Sequence, residues 1–167
     1  MTKSEEIIKT LKLQPLPVEG GYYVETYRSS TELPADTKSP PYDGIRPAST
    51  AIYYLLTPDT FSTLHRLPSD EIFHFYLGDP IELLELDADG GGRVVRLGQN
   101  LFGDMKLQHV VKAGTWQGSK LVYGGSFALL GVTMAPGFIF QDYEAGNRDQ
   151  LVDLYPDFES LIGELTQ

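Results

Sequence analysis

The chain has no cysteine and few basic residues: 13 Lys and Arg stand against 23 Asp and Glu, which gives a net charge of −10 at neutral pH. Without cysteine there are no disulfides and no thiolate site. A chain this acidic lacks the basic surface that binds nucleic acids or anionic membranes. No apolar run reaches the length of a spanning helix, and the N-terminus lacks the apolar core of a signal peptide. We therefore expect a cytoplasmic protein that binds neither nucleic acid nor membrane.

Histidine and tryptophan are also rare, with three residues and one, whereas tyrosine and phenylalanine are plentiful, with ten and eight. The 167 residues are 41% hydrophobic, which is typical of a globular protein and not of a disordered one. A chain of this length is expected to form one domain with a substantial core. We therefore predict a single domain over residues 1–167.

Short runs of aromatic and β-branched residues occupy most of the chain, and turn-forming residues separate them. The predicted strands are Tyr22–Arg28, Thr50–Leu56, Phe61–His65, Glu71–Leu77, Ile81–Leu86, Arg93–Leu97, Gln108–Lys112, Lys120–Tyr123, Phe127–Met134 and Phe138–Tyr143. Short strands at this spacing are typical of an antiparallel sandwich or barrel, so the pattern predicts an all-β protein.

Helices are predicted only near the two ends of the chain. Thr2 with Glu5 forms a capping-box pattern before the first helix, and Asn147 with Gln150 forms a similar pattern before the last ones. Residues 30–47 contain four prolines and predict one long loop. This loop is either a lid over a pocket or a surface excursion.

The stretch STLHRLPSDEIFHFYLGDP, residues 62–80, resembles the first cupin motif. His65 takes the place of its first histidine, Glu71 that of its glutamate and Gly78 that of its closing glycine, whereas Leu67 replaces its second histidine. The segment KAGTWQGSKL is similar to the second motif, with Gln117 in the place of the third histidine.

The strings PVEGGYYVETYRSS, AIYYLL, HRLPSDEIFHFYLGDP, VKAGTWQG and APGFIFQDYE extend the resemblance over nearly the whole chain. Together they resemble an uncharacterised cupin-like family, sometimes called cupin family 5. The resemblance implies a double-stranded β-helix, the cupin jelly roll, with short N- and C-terminal helices. It also implies a homodimer and a small-molecule ligand inside the barrel.

A metal-binding cupin carries three histidines and one carboxylate, but this chain retains only His65 and Glu71 and adds the weak amide donor of Gln117. These three residues make a poor metal site. We therefore expect no cofactor, with weak or adventitious binding of a divalent metal at these residues as the most that they support. A metal-dependent cupin oxygenase is disfavoured for the same reason.

Without a metal, His65 is a candidate general base that Glu71 orients, since a neighbouring carboxylate fixes the imidazole tautomer. Metal-free cupins that epimerise deoxysugar nucleotides work in this way, with a tyrosine as the acid. The sequence offers Tyr53, Tyr123 or Tyr143 for that role and does not select among them. The resemblance thus favours a metal-independent isomerase or epimerase that acts on a sugar or sugar nucleotide.

Further candidate contacts of a ligand follow from strand alternation and residue chemistry. They are Glu25, Tyr27, Phe73, Phe75, Trp116 and Gln117. Trp116 and Gln117 combine a flat apolar ring with an amide, which suits a planar heterocycle. The alternative function is therefore a non-catalytic binding protein for a purine-like metabolite.

Three further charged or titratable residues are expected to be structural. His74 has the opposite parity to Glu71, so alternation predicts that it lies on the outer face of its sheet. His109 is predicted on the surface or in the core, outside the site. Arg28 is expected to pair with Glu25 or to bind an anionic group of a ligand.

Overall fold

The computed structural model of the protein describes residues 1–34, 42 and 44–166. Its strands are β1 (Gln14–Pro15), β2 (Tyr22–Arg28), β3 (Glu32–Leu33), β4 (Arg46–Pro47), β5 (Thr50–Leu56), β6 (Phe61–Arg66), β7 (Glu71–Gly78), β8 (Ile81–Leu86), β9 (Gly92–Leu97), β10 (Gln108–Val111), β11 (Trp116–Leu121), β12 (Ala128–Met134) and β13 (Glu144–Ala145). Its helices are α1 (Lys3–Leu11), α2 (Arg148–Leu154) and α3 (Glu159–Glu164), with single 3₁₀ turns at Phe140–Asp142 and Pro156–Phe158.

Two antiparallel sheets form the body of the protein. The first has six strands in the order β1-β2-β5-β12-β7-β10, and the second has five in the order β13-β6-β11-β8-β9. From β5 to β8 and again from β9 to β12, successive strands alternate between the two sheets, which is the topology of a double-stranded β-helix. The predicted all-β cupin jelly roll with short terminal helices is confirmed.

The main core lies between the two sheets, because alternate residues of each strand point inward. Phe73 and Phe75 of β7 pack there with Leu130 and Val132 of β12 and with Leu83 of β8. Each such side chain contributes about 1.5–3 kcal/mol through burial of apolar surface. This core fills one part of the barrel interior and leaves a cavity in another part.

The helices cover the outer faces of the sheets. Helices α2 and α3 pack on the five-stranded sheet through Leu64, Leu84, Leu86, Leu151 and Ile162. Helix α1 packs on the six-stranded sheet through a separate apolar cluster that includes Leu55 and Leu129. No helix within the described residues is long and apolar enough to cross a membrane.

Both predicted N-terminal caps of helices are present. The Thr2 hydroxyl accepts from the Glu5 N–H, and the Glu5 carboxylate accepts from the Thr2 N–H at 2.6 Å. The Asn147 side chain accepts from the Gln150 N–H at 3.1 Å. These bonds satisfy N–H groups that the first turn of a helix leaves without partners.

Two predicted strands were wrong. The strand expected at Lys120–Tyr123 lies earlier, at β11, because the backbone of that segment pairs with β6 on one side and β8 on the other. The run Phe138–Tyr143 contains a 3₁₀ turn instead, in which the Tyr143 N–H bonds the Phe140 carbonyl at 3.1 Å. Of the predicted loop 30–47, the ends pair as β3 and β4, whereas residues 35–41 and 43 lie outside the described residues.

Candidate functional site

A cavity of about 290 Å³ opens into the barrel from one end. The six-stranded sheet supplies most of its wall, and the turn before β2 and the segment after β12 complete it. Its lining residues are Gln14, Leu16, Glu19, Tyr23, Glu25, Arg28, Thr50, Ile52, Tyr54, Leu67, Glu71, Phe73, Val132, Met134, Phe138 and Phe140. The cavity is therefore largely apolar, with carboxyl groups at a few positions.

Glu71 is the first residue of β7 and lines this cavity while being only 8% exposed. Its carboxylate accepts a hydrogen bond from the side-chain amide of Gln117, which is also buried. Burial raises the pKa of Glu71 to about 7, and the negative charge of Glu19 acts in the same direction against the effects of His65 and Gln117. Both protonation states of Glu71 are thus populated at neutral pH.

His65 lies on β6 directly opposite Gln117 of β11, and it is 1% exposed. Its Nδ1 is 2.7 Å from the Thr63 carbonyl oxygen, which only accepts, so Nδ1 carries the proton. Nε2 is therefore the basic nitrogen, and it has no hydrogen-bond partner among the described residues. Burial lowers the pKa of His65 despite the opposing effect of Glu71, which keeps the imidazole neutral.

The turn before β2 brings a second carboxyl group, that of Glu19, into the cavity. Val18, Gly20 and Gly21 in this turn have φ values of 69°, 97° and 72°. A Cβ at Gly20 would lie 2.3 Å from the Phe61 carbonyl oxygen, so a side chain does not fit there. The Tyr54 hydroxyl donates to the Gly20 carbonyl at 2.9 Å and holds the turn against β5.

The Glu19 side chain faces the cavity and accepts from the Ser62 hydroxyl at 3.0 Å, while its backbone carbonyl accepts from the Thr63 N–H at 2.8 Å. Part of its surface stays accessible through the cavity, but protein atoms crowd its carboxyl group. Burial accordingly raises the pKa of Glu19 to about 7 against the effect of Ser62. The sequence analysis did not select Glu19, although the Gly20-Gly21 pair directly after it indicated an unusual turn.

The mouth of the cavity carries an ion pair between Arg28 and Glu25. The Arg28 Nε and Nη2 atoms lie 2.9 and 2.7 Å from the Glu25 carboxylate oxygens. Nη1 also donates to the Phe138 carbonyl at 3.4 Å. Phe138 and Phe140 stand beside this pair with their ring centroids 5.1 Å apart. The rim is thus half apolar and half charged.

Four of the predicted ligand contacts lie away from the cavity lining, namely Tyr27, Phe75, Trp116 and Gln117. Tyr27 is 54% exposed because a bulge between Glu25 and Tyr27 breaks the alternation of β2, so Arg28 lines the cavity in its place. Phe75 belongs to the apolar core, one pleat beyond Phe73.

Trp116 is the third of these residues, and its place excludes it from a shared pocket with Gln117. Neighbours on a strand point to opposite faces, so Gln117 points into the barrel while Trp116 packs with the cluster under α2 and α3. The Arg66 guanidinium lies 4.6 Å from the centre of the Trp116 ring on that outer side. The expected stacking of a ligand on Trp116 must therefore be revised.

The three candidate tyrosines lie in different environments. Tyr143 stacks on the His65 ring with centroids 4.9 Å apart, and its hydroxyl is buried without a hydrogen-bond partner among the described residues. Burial raises the pKa of Tyr143, so the hydroxyl keeps its proton. Tyr53 packs edge-on against Tyr76 on the outer face, and Tyr123 is fully exposed.

The other two histidines lie outside the cavity lining. His74 is on the outer face of the six-stranded sheet, as alternation predicts, and contacts the Gln108 amide and the Thr133 hydroxyl at 3.1 and 3.3 Å. His109 of β10 reaches into the barrel, where Nε2 bonds the carboxylate of Glu85. The same carboxylate pairs with Arg93.

The residues present do not fit the metal site of other cupins. His65 offers a free Nε2 and Glu71 a carboxylate, but Leu67 presents an apolar side chain and the Gln117 amide donates to Glu71. Within the described ranges, no three His, Cys, Asp or Glu side chains lie close enough to hold a metal ion. Two strong donors and an engaged amide fall short of the donor sets that proteins use for transition metals.

Comparison with known proteins identifies the family. The family model described as Cupin superfamily (DUF985) matches residues 5–146. The chain is 30% identical over 133 residues to the uncharacterized protein YML079W of Saccharomyces cerevisiae, which covers 75% of the chain. The match spans 66% of the yeast protein, slightly less than two thirds of its length.

Two solved structures resemble the chain over nearly its whole length. A hypothetical protein from Leishmania major is 33% identical, with 99% of both chains covered and a TM-score of 0.86. Protein SO0799 from Shewanella oneidensis is 30% identical, with 100% of this chain and 99% of that chain covered and a TM-score of 0.85. Since the family model spans most of the sequence and the jelly roll agrees with it, the chain belongs to the cupin superfamily, in the family described as DUF985.

Proposed function

We propose that the protein is a metal-independent isomerase or epimerase for a sugar-sized metabolite, and that Glu71 moves the proton. The observation that carries this proposal is a buried carboxyl group at the cavity wall with a pKa of about 7. Proton transfer is most efficient when the pKa of the catalytic group lies near the working pH. A purely structural carboxylate is more often paired with a cation, whereas within the described residues the hydrogen-bond partner of the Glu71 carboxylate is the neutral amide of Gln117.

The reaction that suits this group is proton removal from a carbon next to a carbonyl group. The ionised Glu71 takes the proton, the electron pair of the C–H bond enters the carbonyl system to give an enediolate, and a proton then returns to the same or the neighbouring carbon. No oxidant, reductant or water is consumed. His65 is not a lining residue and burial keeps it neutral, so we assign it no part in the proton transfer, in place of the base predicted from the sequence.

The size and lining of the cavity support a monosaccharide as the ligand. About 290 Å³ lies near the lower limit of ordinary ligand pockets, so the nucleotide of a sugar nucleotide would extend beyond the mouth. Hydroxyl groups of the sugar can donate to the carboxyls, and its C–H faces can pack on Phe73, Phe138 and Phe140. A purine is less well supported, because Trp116 packs on the outer side of the sheet.

The test is solvent exchange in D₂O, followed by proton NMR. D-glucose, D-mannose and D-fructose and their 6-phosphates are incubated with the wild-type protein, Glu71→Gln and the surface control Glu82→Gln. We expect deuterium at the carbon next to the carbonyl with the wild type and Glu82→Gln, unchanged by EDTA. Glu71→Gln should lose at least about 100-fold of this rate.

The opposite results would remove the proposal. Calorimetric binding of one of these sugars without exchange during long incubation would favour a non-catalytic binding protein. Exchange that stops with EDTA and returns with a divalent metal would favour a metal enzyme. Exchange that survives in Glu71→Gln would assign the proton transfer to another residue.

We also propose a homodimer, which the family resemblance implies, and a cytoplasmic location. Sedimentation velocity on the purified protein tests the first of these. A species with the mass of two chains is expected at micromolar concentration, and a single-chain mass over the whole concentration range would contradict it.

A further inference from the structure

We infer that Glu19 is a second proton-transfer group of the site, facing the same cavity as Glu71, so that the protein can invert a stereocentre. This inference rests on the proposed function, because it assigns Glu19 a part in the same reaction. Glu19 lies in the string PVEGGYYVETYRSS, which contributes to the family resemblance, but it belongs to neither of the two cupin motifs and has no role assigned from them. The inference therefore depends on the place of its side chain in the structure.

The first observation is the partners of the two carboxyl groups. Ser62 donates to Glu19 and Gln117 donates to Glu71, and both donors are neutral. Among the lining residues that the structure describes, Arg28 is the one cation, and it already pairs with Glu25 at the mouth. Two carboxyl groups that face one cavity without a cation cannot both ionise easily, because each charge opposes the other. They are expected to share one proton.

The second observation is a group of buried polar atoms around the pair that lack partners. Nε2 of His65, Oε1 of Gln117 and the Tyr143 hydroxyl make no hydrogen bond within the described residues. Buried polar atoms are nearly always bonded, so each of these indicates a partner that is supplied from outside the chain. None of these three residues belongs to the cavity lining, so a water buried behind the cavity wall is the partner that fits them.

The third observation is the backbone that presents Glu19. Val18 has a φ of 69°, which is unfavourable for a β-branched residue, and Gly20 and Gly21 follow with positive φ values. The Tyr54 hydroxyl and the Thr63 N–H hold this turn in place. A strained backbone of this kind persists only where the surrounding contacts hold it in place. Such strain is found most often at functional sites.

The chemistry needs one carboxylate and one carboxylic acid, which is the state that a shared proton gives. The ionised Glu71 removes the proton from one face of the carbon, and the protonated Glu19 returns a proton to the other face. The product is the epimer, Glu71 ends protonated and Glu19 ends ionised, and one proton exchange with water restores the starting state. The titratable groups facing this pair are His65, Tyr54 and Tyr143, and none of them is cationic at neutral pH.

The experiment separates exchange from inversion in the same NMR assay. With D-glucose or D-mannose, the wild type should give the 2-epimer with deuterium at C2. Glu19→Gln should still exchange the C2 proton of the epimer that Glu71 deprotonates, but should form at least about 100-fold less of the other epimer. Glu71→Gln should lose exchange from that first epimer, and Glu82→Gln should behave as the wild type.

Inversion at the wild-type rate in Glu19→Gln would overturn the inference while leaving the proposed function intact. A second readout decides the case in which no sugar reacts at all. The carboxyl bands of the wild type and Glu19→Gln are titrated by infrared difference spectroscopy between pH 4 and 9. A midpoint of Glu71 that moves to lower pH in Glu19→Gln supports the pair, and an unchanged midpoint overturns it whatever the activity.

Discussion

Two groups of carboxyls inside the barrel differ in what stands next to them. Glu85 is fully buried, hydrogen-bonds His109 and forms an ion pair with Arg93. Burial by itself raises the pKa of Glu85, but these two partners outweigh it and bring the pKa below its usual value. The donors to Glu71 and Glu19 in the described part of the chain are neutral, and the pKa values of both carboxyls rise to about 7.

The comparison shows how to separate a structural charge from a functional one. Glu85 of β8 and His109 of β10 belong to opposite sheets, so their bond ties the two halves of the barrel together. Glu71 and Glu19 make no such link and face a cavity. An uncompensated buried carboxyl destabilises the fold, and its presence at a cavity wall therefore indicates a role in binding or chemistry.

The largest expected effect is that of Gly20→Ala, which breaks the turn that presents Glu19. The new Cβ meets the backbone oxygen of Phe61 at 2.3 Å, and φ is 97°, so the free energy of unfolding should fall by about 4 kcal/mol. Gly124→Ala is the matched control, because its φ is also positive, at 81°, but nothing lies within 4 Å. The free energy of unfolding of Gly124→Ala should fall by about 1 kcal/mol. Urea denaturation measures both, and equal losses would show that the turn is not held against β6.

Glu85→Gln tests the compensated side of the comparison and should destabilise the protein by about 3 kcal/mol at pH 7, since the charge-assisted hydrogen bond to His109 and the ion pair with Arg93 are both weakened. Because the pKa of Glu85 is lowered in the fold, its contribution exists above the unfolded pKa and is lost as the pH falls through the folded value. The difference between Glu85→Gln and the wild type should therefore shrink in acid. Denaturation at pH 7 and pH 4 measures it, and an acid-independent loss would assign the effect to packing alone.

Glu71→Gln should change the free energy of unfolding in the opposite direction and stabilise the protein. A raised pKa means that the folded state binds more protons than the unfolded state between about pH 4.5 and 7, so stability falls as the pH rises through this window. The neutral amide avoids that penalty, and Glu71→Gln should gain about 2 kcal/mol at pH 8. At pH 5 the gain should be close to zero. A loss of stability at both pH values would contradict the picture of an uncompensated carboxyl.

Strand alternation and the resemblance predict much of this architecture from the sequence. The pattern of β7 directs Phe73 inward and His74 outward, and the pairing of β6 with β11 brings Gln117 opposite His65. These features follow either the two-residue period of a strand or the spacing of a motif, so they can be predicted from the local sequence.

The remaining features depend on contacts between distant segments. Glu19 lies in a turn with positive φ values, where no periodicity exists, and its place depends on the approach of Phe61 and Tyr54. The bulge in β2 moves Tyr27 out of the pattern. Trp116 was misplaced because β11 contains no β-branched residue and its start was predicted four residues too late, so alternation was not applied to Trp116 and Gln117.

The smallest expected effect on the free energy of unfolding is that of Glu25→Gln. This substitution separates the effect of burying a carboxyl from the effect of its lying at the cavity. Glu25 also lines the cavity, but its side chain is 38% exposed and it pairs with Arg28, which is 45% exposed. Solvent-exposed ion pairs contribute less than about 1 kcal/mol, so Glu25→Gln should change the free energy of unfolding by less than that at both pH 5 and pH 8. Glu25→Gln could instead gain as much stability at pH 8 as Glu71→Gln. That result would mean that repulsion among all the charges of the cavity, and not burial of the individual carboxyl, causes the loss of stability. Urea denaturation of Glu25→Gln and Glu71→Gln side by side measures this. If the effect of Glu25→Gln does not change with pH, the uncompensated charge belongs to Glu71 and Glu19.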